Sequence, residues 1–337
     1  MRDNKAFLFG MIILGILLIS SSIILTGCAK KEKVYHVGIL SGSDIHRAIA
    51  GSFKDELTKL GYVEGKNIVY DLENTTFSPD KEEPILKNFV DDKVDLILAY
   101  NTEQAIAAKA AAQGTGIPVI FANTFIEGND LVKSLLEPGG NITGVRYPGP
   151  DVAVKRLEVM HELSPQARRI WIPYQKGYPS APVQLDAIRP VASSLNLTII
   201  EFPSDNLADL ESELENRSNS RSGDIGFDAV LFIADALSGN KNSFDIIANY
   251  TRPLKIPVGG AFLTTQDYGT VFAVTVDSAE EGKQAAYLAD KIFKGTNAGT
   301  IPVVSAEPIL IINVKVAQEL GINVSEDLLA QANNIIH

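Results

Sequence analysis

The stretch Ile117–Tyr147, IPVIFANTFIEGNDLVKSLLEPGGNITGVRY, decides how this chain is read. Pro118–Asn123 is apolar with β-branched and aromatic residues, as a strand buried on both sheet faces requires. A loop, a short helix, a Gly-rich turn at Pro138-Gly139-Gly140-Asn141 and a second strand are expected to follow. Beyond Tyr147 the alternation of strand and helix begins afresh. The stretch is therefore expected to end one lobe, line its mouth and deliver the chain to a second lobe.

Working back towards the N-terminus, His36–Leu40 reads as a buried strand and Ser41-Gly42-Ser43-Asp44 as a turn rich in helix-capping residues. Ile49, Phe53, Leu57 and Leu60 recur at helical spacing, with Gly61 as the stop. Strands are expected over Asn67–Asn74 and Asp95–Tyr100, and helices around Glu83–Asp91 and over the Ala-rich Thr102–Gln113. Strands separated by helices pair in parallel through right-handed crossovers, so the fold class is α/β with parallel sheets. Ligands of such sheets sit beyond the carboxyl ends of the strands. That rule singles out Ser43 and Asp44, then Asn101 and Thr102, then Asn123, Thr124 and Phe125. Ser43 and Asp44 serve equally well as helix caps, and Thr102 is a natural cap too, but Asn101 and Thr102 together at a strand mouth point towards a ligand role.

Working forward, helices are expected over Val152–Leu163, Val183–Leu195 and Asn206–Glu215, and strands over Arg169–Tyr174, Leu197–Phe202, Asp228–Ala234, Pro257–Phe262 and Val271–Val276. A long helix through Phe293, the strand Ile309–Ile312 and a final helix close the chain. Asn216–Gly223 is a polar surface loop by composition. Asp235, at a strand end, is the acid placed to meet a cationic or hydroxyl-bearing ligand. Tyr174, Tyr178 and Phe125 are candidate walls, because aromatic rings combine apolar area with few rotors. Trp171, inside a strand, reads as core. Asp277 is either a ligand contact or the cap of the helix that follows it.

Composition bounds the function. The 337 residues are 45% hydrophobic and 21% charged, enough for two lobes of ordinary size. A formal net charge of −11 speaks against nucleic acid as a partner. Cys28 is the single cysteine, which excludes an internal disulfide, and the four histidines lack the spacing of a metal site. Neither a metal nor a cofactor is expected. No Gly-x-Ser-x-Gly elbow, P-loop or Gly-x-Gly-x-x-Gly turn is present, so no enzyme is indicated. The adjacent pairs Asp91/Asp92 and Glu280/Glu281 read as solvated carboxylates. At the N-terminus, Arg2 and Lys5 precede an apolar run, Ala6–Leu25, and Gly27 stands directly before Cys28. An apolar run of about 20 residues also suits a membrane-spanning anchor. The Gly-Cys junction resembles the bacterial lipoprotein signal, which implies that residues 1–27 are removed and that Cys28 is acylated. Residues 28–33 then form a tether.

One ordered set of segments is similar to a known family. It comprises Gly61-Tyr62-Val63-Glu64-Gly65-Lys66-Asn67, Lys93-Val94-Asp95-Leu96-Ile97 and Ile117–Ala122. Asp130–Leu135 with Pro138–Val145, Gly282-Lys283-Gln284, Lys294-Gly295, Ile312-Asn313 and Ala317–Gly321 continue it. These resemble the substrate-binding lipoproteins of ABC transporters that include tryptophan- and tyrosine-binding members. The resemblance implies two Rossmann-like lobes joined by a multi-strand hinge, as in type I periplasmic binding proteins. Residues 34–147 with about 275–305 would form lobe 1, and 148–274 with about 306–337 lobe 2, with a ligand cleft between them. It implies a non-enzymatic, extracytoplasmic protein, lipid-anchored to the membrane at Cys28. Such a protein closes on a small organic solute, amino-acid-like or a related metabolite, and delivers it to an ABC permease and its ATPase. An alternative use of the same fold is a ligand-sensing extracellular module docked on a signalling membrane protein. Two loops depart from the family pattern, Asn123–Glu127 and Gln175–Ser180, so the ligand is not carried over.

Overall fold

The computed structural model describes residues 33–42, 47–75, 78–219, 224–261 and 269–337. The chain alternates through β1 (Tyr35–Ser41), α1 (Arg47–Lys59), β2 (Ile68–Asn74), α2 (Pro79–Asp91), β3 (Leu96–Tyr100), α3 (Thr102–Ala111), β4 (Val119–Thr124) and β5 (Ile142–Arg146). Then come α4 (Gly149–Leu163), β6 (Arg169–Gln175), α5 (Ala181–Ser194), β7 (Thr198–Ser204), α6 (Leu207–Ser218), β8 (Ala229–Phe232), α7 (Lys241–Thr251), β9 (Val258–Gly260) and β10 (Phe272–Val276). The last elements are α8 (Ser278–Phe293), β11 (Val304–Ser305), β12 (Pro308–Asn313), α9 (Val314–Leu320), α10 (Glu326–Gln331) and β13 (Asn334–Ile336).

Two sheets result. The first has the order β11-β5-β4-β3-β1-β2 and is parallel throughout its described strands. Alternation of side chains sends Val37, Ile39, Leu96, Leu98 and Ile120 to a face covered by α1 and α8. Leu40, Ile97, Ala99, Val119 and Phe121 go to the opposite face, under α2 and α3. The second sheet has the order β13-β12-β10-β9-β8-β6-β7. Trp171, stacked on Phe227 at 5.0 Å, belongs with Val230 and Phe232 to the core under α6 and α7. The other face of this sheet, including Ile170, Ile172 and Leu231, packs on α4 and α5.

The chain crosses between the sheets three times, at 146–149, 276–278 and 305–308. The third crossing explains one departure from all-parallel pairing. β12 returns from the first lobe alongside β10, the strand that left for it, so the two run antiparallel. Three other expectations change. No helix forms between β4 and β5, because local side chains and Pro138 take the backbone groups instead. There Asn129 Oδ1 accepts from Leu131 N at 3.0 Å, Ser134 Oγ accepts from Glu137 N at 3.0 Å, and Lys133 N bonds Pro138 O at 2.8 Å. Helix α7 and strand β13 were not expected. β13 is three residues long and pairs with β12 alone among the described strands.

Candidate functional site

The mouth of the first sheet is built at the ends of β3 and β4. Asn101 has φ 79° and ψ 155°, a region that glycine normally occupies, and Asn123 has φ 46°. Two strained asparagines at neighbouring strand ends are a cost of about 1–3 kcal/mol each, which the surrounding fold must over-determine. The Asn101 amide donates to Ala122 O at 3.2 Å, while its Oδ1 is buried with no hydrogen-bond partner among the described residues. Thr102 Oγ1 accepts from Phe125 N at 3.1 Å and so ties the ends of β3 and β4 together. Thr124 is fully buried and donates to Ala122 O at 2.8 Å, an internal contact. Phe125 turns inward, its ring 5.0 Å from that of Tyr147. It covers the first crossing, where a Cβ on Gly149 would lie 1.9 Å from Phe125 Cε1.

The opposing mouth lies at the ends of β6 and β8. Asp235 is 5% exposed; it accepts from the amides of Gln175 and Ser238, the latter at 2.9 Å. Burial raises its pKa in spite of these bonds. Tyr178, half-buried, stands between Asp235 and Glu103. Its phenol is pushed up first by burial, then by the charges of Glu103 and Asp235. Glu103 comes from α3 of the first lobe, and Tyr178 and Asp235 from loops of the second. The side chains of the two lobes thus meet here. Glu103 Oε2 is another buried atom without a partner among the described residues.

The structure therefore brings Asn101, Thr102 and Asn123 to one mouth and Tyr178 and Asp235 to the other. Tyr174 lies elsewhere, beside Arg189 and Glu201, whose charges act on its hydroxyl. Asp277 is exposed and caps α8, accepting from Ala279 N at 2.8 Å and Glu280 N at 3.3 Å. Of its two expected roles, the structure shows the cap. Ser43, Asp44 and Cys28 lie outside the described residues.

Behind the two mouths runs a buried polar network that sequence reading missed. The fully buried Arg156 of α4 donates from Nε to Val274 O at 2.9 Å, from Nη1 to Gln184 Oε1 at 3.2 Å, and from Nη2 to the Tyr147 hydroxyl. Burial lowers its pKa. Gln184 in turn receives Ala234 N at 2.9 Å and donates to Ala234 O at 2.9 Å, fixing the residue beside Asp235. Glu281 of α8 is 1% exposed, which corrects the expectation that the pair Glu280/Glu281 is solvated. A signal for both existed. Arg156 falls between Val152 and Met160, and Glu281 leads to Ala285 and Leu288, so each occupies the buried stripe of its helix. Among the described residues no group of His, Cys, Asp and Glu is placed to hold a metal ion, and no helix is long and apolar enough to cross a membrane.

Two α/β lobes with facing strand mouths and three crossings define a type I periplasmic-binding-protein fold. The chain belongs to the ABC transporter substrate binding protein family, whose model it matches over residues 34–336. It is similar to the tyrosine-binding protein of Clostridioides difficile (strain R20291), with 28% identity over 323 residues, covering 90% of this chain and 89% of that one. Among solved structures it resembles an ABC domain in complex with L-Trp from Streptococcus pneumonia, at TM-score 0.78 and 24% identity over 90% of this chain and 100% of that one. A second structural relative is a ligand-free, open substrate binding protein from Clostridium difficile, at TM-score 0.69 and 22% identity over 90% of this chain and 99% of that one.

Proposed function

We propose that this chain is the extracytoplasmic, lipid-anchored solute-binding protein of an ABC importer. Its lobes close around a small amino-acid-like solute and deliver it to a membrane permease. We assign 34–147 with about 275–305 to lobe 1 and 148–274 with about 306–337 to lobe 2, a division supported by the three crossings. The observation that carries the reading is the set of polar atoms at the facing strand mouths. Among the described residues Asn101 Oδ1 and Glu103 Oε2 are buried without partners, opposite Tyr178 and Asp235. A buried acceptor left unpaired costs about 1–3 kcal/mol, a cost that a solute donating to it would remove. Asn101, Thr102, Glu103, Asn123, Tyr178 and Asp235 are the residues proposed to surround the solute. The named ligands of the relatives, tyrosine and L-Trp, support an amino acid as its class. Mass spectrometry of solute released from gently purified protein tests this reading. An amino-acid-like metabolite at stoichiometric yield is expected. Failure of any amino acid or related metabolite to co-purify, or to raise the melting temperature, would remove it. The lipid anchor is supported by Gly27 before Cys28, and the mass of the N-terminal peptide of membrane-extracted protein tests it.

A further inference from the structure

Glu281 is the buried carboxyl that the binding reading leaves without a task. It sits in the first turn of α8, just after the second crossing, and it pairs with no cation among the described residues. Both of its oxygens go to one residue, Oε1 accepting from Asn123 N at 3.1 Å and Oε2 from Asn123 Nδ2 at 3.0 Å. Helix α8 is held rigidly behind it. Gly282 lets α1 approach so closely that a Cβ there would lie 2.1 Å from Ser52 Oγ and 2.3 Å from Ile49 O. Asn123 is half-buried at the mouth of the first lobe, with left-handed backbone. Once Glu281 has taken its two donors, the remaining side-chain atom, Oδ1, accepts no hydrogen bond from a described residue. The carboxylate thus dictates which way round the amide stands.

We propose that Glu281 is a positioning residue of the cleft, clamping Asn123 so that this mouth offers the solute a hydrogen-bond acceptor. The residue selects for a solute that brings a donor, an ammonium or a hydroxyl, to that point. This rests on the binding reading above for its solute, but the clamp itself is testable without one. The groups whose charge reaches Glu281 are Asp277 at the start of α8, and Tyr147, which is itself bonded to Arg156 of α4. Burial, opposed by the two bonds from Asn123, pushes Glu281 up to about 8.

In ligand-free protein, the backbone and side-chain amide resonances of Asn123 are expected to titrate together near that pH and to stay flat in Glu281→Gln. Resonances that follow the ionisation of Glu281 at no pH overturn the clamp whatever happens on binding. With L-tyrosine and L-tryptophan as probes above pH 8, Glu281→Gln is expected to weaken binding about tenfold, the order of one lost hydrogen bond to a charged group. In an Asn123→Ala background the same change should add little, since the two act as a unit. The ratio of wild-type to Glu281→Gln affinity, in which ionisation of the probe cancels, should grow as pH rises through 8. Equal affinities, or fully additive losses, overturn the positioning role. Titration of Asn123 without binding of either probe to wild type would leave the clamp standing and remove tyrosine and tryptophan as its solutes instead.

Discussion

Asn123 and Glu281 show how one buried carboxyl sets both a local geometry and a pH response. Free in the unfolded chain Glu281 titrates near 4.5, and in the fold near about 8, so the folded state binds more protons between those values. Stability is therefore highest below the lower value and is lost progressively as pH rises through 8. The urea midpoint of wild type should fall by an amount worth a few kcal/mol between pH 5 and pH 9. Glu281→Gln, which keeps the shape and cannot ionise, should flatten that part of the profile. Tyr178 carries a second residue-scale prediction. Tyr178→Phe keeps the ring but removes the hydroxyl facing Glu103, so it should weaken solute binding by about 1 kcal/mol in titration calorimetry while leaving the fold intact. Glu281 was read from sequence as solvated, and Glu103 lay in a post-strand segment without a contact of its own assigned, because a carboxylate's environment is set by what packs over it. Asp235, by contrast, was marked as a candidate from its place at a strand end, since the rule for ligands of parallel sheets depends only on the order of strand and loop.

At the scale of elements, two helix contacts hold the hinge. The first is the close passage of α1 over α8 at Gly282, where an added methyl meets backbone as well as a side chain. Gly282→Ala should destabilise the protein by about 1–3 kcal/mol, read as a lowered denaturant midpoint with unchanged slope. The second is α4, whose Arg156 joins the first crossing, β10 and Gln184 of α5, which in turn holds Ala234 beside Asp235. Arg156→Ala would leave Gln184, Val274 and Tyr147 short of a donor and open a cavity, an expected loss of about 3 kcal/mol or more. Arg156→Met fills the volume and should recover part of that stability without restoring solute affinity. Most elements were legible from periodicity, including α1 with its Gly61 stop and the buried strand β3. The segment between β4 and β5 was not, because its apolar spacing matches a helix while its side chains bond the backbone locally.

The whole molecule is two lobes connected by three chain segments, an architecture suited to hinge closure. Addition of a bound solute should shrink the radius of gyration in solution scattering and raise the melting temperature with solute concentration. Saturation at a hundred times the dissociation constant should be worth about 2.7 kcal/mol. By itself, the sequence determined the class of fold, the two-lobe division, and the strand ends at which to look. These follow from hydrophobic period and from the spacing of turns, which are properties of neighbours along the chain. Only the tertiary structure decided which side chains face one another. Glu103 meets Tyr178 from the other lobe, and Glu281 meets Asn123 from 158 positions away. It also decided that Asp277 caps a helix, that Phe125 seals a crossing, and that Arg156 is buried. The physical reason is that charge, burial and hydrogen-bond partnership are set by atoms distant in sequence, which no local pattern encodes.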